Sequence, residues 1–200
     1  MSSLLRFTIL VIVGIAFCSP AIAQQYPARP IRMLIGFPPG GGTDIVGRIV
    51  AQKVSENLGQ QIVAENRGGA TGMVAAELAA KAAPDGYTIM MAHISAMSIL
   101  PSLYPRMAYD TARDFAPITL AAIGPNLLVV HPSLPVRSVK DLIALAKARP
   151  GQLHYASPGS GSVQHLSGEL FKLQAKVDML HIPYKGSGSP SWTSSPVTSN

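Results

Sequence analysis

The stretch Ile31-Arg32-Met33-Leu34-Ile35-Gly36-Phe37, followed by Pro38-Pro39-Gly40-Gly41-Gly42-Thr43-Asp44 and then Ile45-Val46-Gly47-Arg48-Ile49-Val50, decides the fold class. An apolar run, a stop of prolines and glycines, and an amphipathic run read as strand, tight loop and helix. The prolines remove backbone donors and end the strand. The glycines allow the turn and leave N–H groups unshielded by side chains. Thr43 or Asp44 is placed to cap the helix. Such a loop at the positive end of a helix suits a small anion, although most Gly/Pro loops in α/β proteins bind nothing. Two nucleotide motifs fail here. Gly42 to Gly47 has the Walker spacing, but Arg48-Ile49 stands where Lys-Ser/Thr is needed, and Ile45 breaks the dinucleotide pattern.

The same alternation continues downstream. Gln61–Glu65 reads as a strand, Asn66–Gly72 as a second glycine-rich loop, and Met73–Ala82 as a helix stopped by Pro84-Asp85-Gly86. Thr88–Ala92 is a third strand, with a polar crossing at His93–Ser98. Strands alternating with helices predict a parallel sheet whose loops open on one edge, where open α/β sheets hold ligands. Pro101–Pro117 reads as a structured connector. Ile118–Ile123 and Asn126–His131, split by Gly124-Pro125, are expected to be two strands forming a hinge between lobes. Ser138 caps a helix that ends at Arg149-Pro150-Gly151. Leu153–Ala156, the loop Ser157–Ser162 and a helix over Val163–Gln174 then repeat the opening device.

Composition bounds the rest. Of 200 residues, Arg6 and the apolar run Phe7–Phe17, followed by Ala21-Ile22-Ala23, form a signal peptide expected over residues 1–23. Cys18 is the only cysteine, so the expected mature chain has no cysteine chemistry and no disulfide. The formal charge of +6 falls to +5 without Arg6, carried by scattered basic residues. That pattern argues against a nucleic-acid surface and fits weak attraction for anionic solutes. There is no Gly-x-Ser-x-Gly elbow, no base evident beside the serines of 157–162, and no histidine pair at helical spacing with a carboxylate. An enzyme is therefore not expected. His93, His131, His154, His165 and His181 are far apart in sequence, which leaves a metal-binding receptor as a weaker alternative and predicts no metal or cofactor.

Tyr26-Pro27-x-x-Pro30-Ile31, Phe37-Pro38-Pro39-Gly40-Gly41, Val63-x-Glu65-Asn66-Arg67 and Ala83-Pro84-Asp85-Gly86-Tyr87-Thr88 carry a resemblance. Tyr155-Ala156-Ser157, Gly159–Ser162 with His165-Leu166, and Pro183-Tyr184-Lys185-Gly186 extend it. Over about residues 26 to 187 the chain resembles the Bug (TctC) extracytoplasmic solute receptors of tripartite tricarboxylate transporters. The resemblance implies an α/β, type II-like, two-lobed periplasmic binding protein with parallel-rich sheets flanked by helices, closing on a small organic carboxylate. It implies a monomer that hands its ligand to membrane transporter subunits. The first lobe would be 24–124, and 125–185 a partial, incomplete second lobe. By motif, Phe37, Pro39, Gly40, Gly41, Gly42, Thr43 and Asp44 would meet one ligand carboxylate. Ser157, Ser160, Gly161 and Ser162 would hold the other, with His93 and Ser95 on the cleft wall and His165 a weaker candidate. Leu100-Pro101 stands where many relatives have Asn-Pro.

Residues 186–200 have no apolar period and depart from the family. A codon choice exists under which Pro190–Ser199, read one frame over, gives Gln-Leu-Asp-Val-Ile-Ala-Gly-His-Val, an amphipathic helix of the family's kind. The tail is thus expected to be the product of a single-base frameshift near Ser189. A truncated, inert derivative of such a receptor is the companion expectation.

Overall fold

The computed structural model describes residues 25–188. The expected signal peptide and nearly all of the expected non-family tail lie outside them. Three parallel strands form the first sheet in the order β2-β1-β3: β1 is Ile31–Ile35, β2 Ile62–Asn66 and β3 Thr88–Met91. Between them run α1 (Gly42–Leu58) and α2 (Met73–Ala80). β1 is central because both its faces are apolar: Ile31, Met33, Leu34 and Ile35 are buried, as a strand covered on both sides requires. Its core joins Ala51 of α1 and Ile62 of β2. Gly59 in the left-handed region stops α1, its amide returning to Ser55 O.

A second, two-stranded parallel sheet pairs β4 (His154–Ser157) with β5 (Leu180–Pro183). It packs with α4 (Val139–Ala148) and α5 (Val163–Ala175), and Leu142, Ala146, Leu153, Val177 and Met179 form its core. Ser138 caps α4 as expected, its hydroxyl accepting from the Asp141 amide at 3.1 Å. A third cluster gathers Ala76, Ala96 and Tyr109 beneath the connector, where the Tyr109 hydroxyl donates to Ala96 O.

Two expectations fail. The crossing after β3 is not a plain polar loop: Ser95–Ile99 forms a π-helical turn that runs into a short helix, α3 (Leu100–Leu103). Pro101 does not prevent this, because a proline in a first turn loses a donor that had no partner there. Nor do Ile118–Ile123 and Asn126–His131 form strands. Residues 115–131 have no regular structure, and Ile118 and Leu127 are each 81% exposed. An apolar run adopts strand geometry only beside a neighbour that accepts its hydrogen bonds, and among the described residues none lies there. The apolar stripe Leu166, Leu170 and Leu173 on α5 is likewise uncovered.

Candidate functional site

The loop after β1 is braced from within. Gly41, not Thr43 or Asp44, is the N-cap of α1 and supplies no side-chain cap. Asp44 occupies the third helical position and accepts at 2.9 Å from the amide of Gly40, one residue before the N-cap, which braces the turn into the helix. It is 3% exposed and also accepts from Arg48 Nε at 3.0 Å and from Asn66 Nδ2 at 2.7 Å. Burial pushes its carboxyl up, but the bonds from Arg48, Asn66 and Gly40 outweigh burial and hold it down at about 2. Its oxygens are committed to the scaffold, so Asp44 shapes the loop. Asn66 also donates to Phe37 O at 2.9 Å, tying the loop to the end of β2.

Phe37 is buried and meets His93 edge-on, ring centres 4.9 Å apart. Burial lowers the His93 pKa, favouring the neutral ring. Its Nδ1 accepts from the Ser95 amide at 3.2 Å and lies 3.1 Å from Ser95 Oγ, so the buried Ser95 starts the π-helical turn rather than facing solvent.

In the second loop, Ser162 is the N-cap of α5, its hydroxyl accepting from the His165 amide at 3.1 Å. His165 Nδ1 accepts from the Gly161 amide at 3.2 Å, and its ring stacks on His181 at 4.1 Å. His181 stacks in turn on Tyr155 at 4.9 Å. Burial first, and the neighbouring His165 second, lower the His181 pKa. A histidine does therefore sit beside a serine here, contrary to the sequence reading: His181 Nε2 lies 2.7 Å from Ser157 Oγ. Ser157 is nonetheless buried, and its hydroxyl is also within bonding distance of the Gly159 amide and carbonyl, which makes it a brace for the turn. Among the described residues no group of three or more His, Cys, Asp or Glu is placed to hold a metal ion.

The two loops meet. Thr71 Oγ1, on the loop after β2, donates to Ser160 O at 2.7 Å. Thr71 adopts φ 56°, a left-handed conformation that aims its hydroxyl across the gap. Gly159 has no room for a side chain, since a Cβ there would lie 2.9 Å from that hydroxyl. The chain after β5 passes between the loops: the Gly186 amide donates to Pro158 O at 2.9 Å, and a Cβ on Gly186 would lie 2.5 Å from Pro38 Cδ. Ser187 and Gly188 lie against Gly41. The structure thus brings Pro38–Gly41 and Pro158–Ser160 to either side of the Gly186–Gly188 segment, with Phe37, His93 and Ser95 packed behind the first of them. Sequence reasoning missed Thr71, His181 and the Gly186–Gly188 segment as members. The Pro183–Gly186 motif was a usable signal, whereas nothing local marks Thr71.

Two α/β units whose strand-ending loops face each other define a two-lobed binding protein. The family model described as "Tripartite tricarboxylate transporter family receptor" matches residues 46–193, and the chain belongs to that family. It is 40% identical to Protein BugT of Bordetella pertussis over 186 residues, 90% of this chain and 57% of BugT. Among solved structures it is similar to an R. palustris protein with adipate, at TM-score 0.79 and 42% identity, over 81% of this chain and 54% of that one. It is also similar to MatC from Rhodopseudomonas palustris with bound malate, at TM-score 0.76 and 33% identity, over 84% and 57%. The chain spans about half the length of the relatives it matches.

Proposed function

We propose that this chain carries the ligand-capturing crevice of a periplasmic receptor that binds a small dicarboxylate and delivers it to tripartite tricarboxylate-type transporter subunits, without catalysing a reaction. The observation that carries the reading is Gly186, which packs on Pro38 before α1 and donates its amide to Pro158 O before α5, with the Thr71–Ser160 bond beside it. A carboxylate at a helix N-terminus gains about 0.3–1 kcal/mol exposed and up to about 2 when partly buried. Two such ends, one on each side, suit a ligand with a carboxylate at each end. The ligands of the adipate- and malate-bound relatives have that form.

In this reading the amides of Gly41–Thr43 and Ser160 face the ligand, while Asp44 and His165, which take the amides of Gly40 and Gly161, and Ser157 hold the two loops in shape. The lobes are assigned to 24–124 and 125–185, with the exposed 118–131 segment crossing between them. The Ser157–His181 contact favours a hydrolase only superficially, because the serine is buried. A calorimetric titration with adipate and malate tests the receptor reading, with a monocarboxylate of equal length as control. Saturable binding of a dicarboxylate, at least tenfold tighter than the control, is expected; equal affinity for both removes the two-ended clamp.

A further inference from the structure

Two stacked imidazoles stand behind the loop between β4 and α5, and each holds one part of it. His181 Nε2 lies 2.7 Å from Ser157 Oγ, which takes the Gly159 amide at 3.2 Å. His165 takes the Gly161 amide on Nδ1, also at 3.2 Å. The rings are 4.1 Å apart and 29° from parallel. A proton affects the two attachments differently. A charged His181 would donate from Nε2 to Ser157 Oγ, which can still accept from the Gly159 amide and turn its own hydrogen to Gly159 O, 3.1 Å away. His165 has no such freedom. An imidazolium carries hydrogen on both nitrogens, so its Nδ1–H would confront the Gly161 N–H, donor against donor. The bond that fixes Gly161, next to Ser160, therefore exists only while the His165 ring is neutral.

Among the described residues, the titratable and charged groups around the pair are Tyr155 on β4 and Glu169 and Lys172 further along α5. Tyr155 donates to Glu169 Oε1 at 2.6 Å, and burial together with that carboxylate raises its pKa, so the phenol stays neutral. Glu169 also pairs with Lys172 at 2.9 Å, and these partners hold its carboxyl down and ionised. Burial disfavours a charge on His181, so a proton entering the stacked pair lodges on the half-buried His165. We propose that His165 is a positioning residue whose protonation releases the bound carboxylate: as pH falls through the histidine range the ring lets go of Gly161, the loop loses the shape that aims the Ser160 amide, and affinity drops. The charge gained by the ring would by itself attract a carboxylate. It is screened by solvent at a half-buried site, whereas an amide turned out of line contributes nothing. Because binding and deprotonation then favour one another, the ligand expels a proton as it binds. The inference rests on the proposed carboxylate crevice and adds to it a sensitivity to acid.

Calorimetric titration of the full chain with malate at about pH 8 and about pH 6, a range in which both ligand carboxyls are ionised, reads the effect. The wild type should bind about fivefold more weakly at the lower pH, the loss expected for one hydrogen bond. Its binding enthalpy there should vary with the ionisation enthalpy of the buffer, because protons leave on binding. His165→Asn offers a carbonyl oxygen to the Gly161 amide but does not titrate, so its affinities at the two pH values should be equal. His165→Ala lacks the acceptor at any pH and should show the wild type's weaker affinity at both; His165→Asn decides the matter if the alanine variant does not fold. Equal wild-type affinities, tighter binding at the lower pH, or a fall that survives in His165→Asn would overturn this inference and leave the receptor reading standing. Absence of malate and adipate binding at both pH values would remove the two together.

Discussion

Replacing Asp44 with asparagine tests how the opening loop is held. The carboxylate is 3% exposed and takes hydrogen bonds from Gly40, Arg48 and Asn66, which depress its pKa to about 2. Against an ordinary aspartate near about 3.9, that depression is worth about 2.5 kcal/mol of native stability at neutral pH. The Arg48 side chain is half exposed, and solvent screening of its share trims the figure to roughly 2 kcal/mol. Because the folded-state pKa is the lower one, the contribution is fully present above about pH 4 and is lost as pH falls toward 2. Asparagine carries no charge at either pH. The stability difference between wild type and Asp44→Asn should be largest at pH 6–7 and shrink by roughly 2 kcal/mol by pH 2. Urea unfolding at a series of pH values measures it. The lowered carboxyls of Glu65, Asp114, Asp141 and Glu169 titrate in both proteins and cancel in the difference. A difference that stays flat from pH 7 to pH 2 would refute the assignment of Asp44 as a charged brace.

Ser162→Ala removes the cap of α5 and should cost about 1 kcal/mol in thermal or urea unfolding. Gly161→Ala places a methyl 2.5 Å from Leu100 Cδ2 at a φ of 77°, and should destabilise by roughly 1–3 kcal/mol in the same assay. Thr71→Val keeps the shape but deletes the donor to Ser160 O. It should change stability by less than about 1.5 kcal/mol while weakening adipate binding several-fold by calorimetry, if the loops form one crevice.

The first sheet was readable because its signals are local. The apolar run Ile31–Ile35, the Pro/Gly stop and the amphipathic α1 lie next to one another in sequence, and the observed ends of β2, β3 and α5 shift by one residue from those expected. The cap at Ser138 was equally local. What stayed hidden depends on distance. Asn66 reaches Asp44 only after β1 and β2 pair, and His181 reaches Ser157 only after β4 and β5 pair. The segment 118–131 has strand composition, yet strand geometry belongs to a pair and cannot be read from one member. Ser95–Ile99 looked like loop because serine and a nearby proline usually mark one; the buried Ser95 hydroxyl finds its partner in His93 instead.

All three strands of the first sheet fall within the continuous stretch from Ile31 to Met91. On the ribosome, those three strands can pair before the second unit has been synthesised. Pairing over short sequence separations is also the faster kind. The amino-terminal half is therefore suited to act as an early folding nucleus, against which the later unit docks through Thr71 and Ser160.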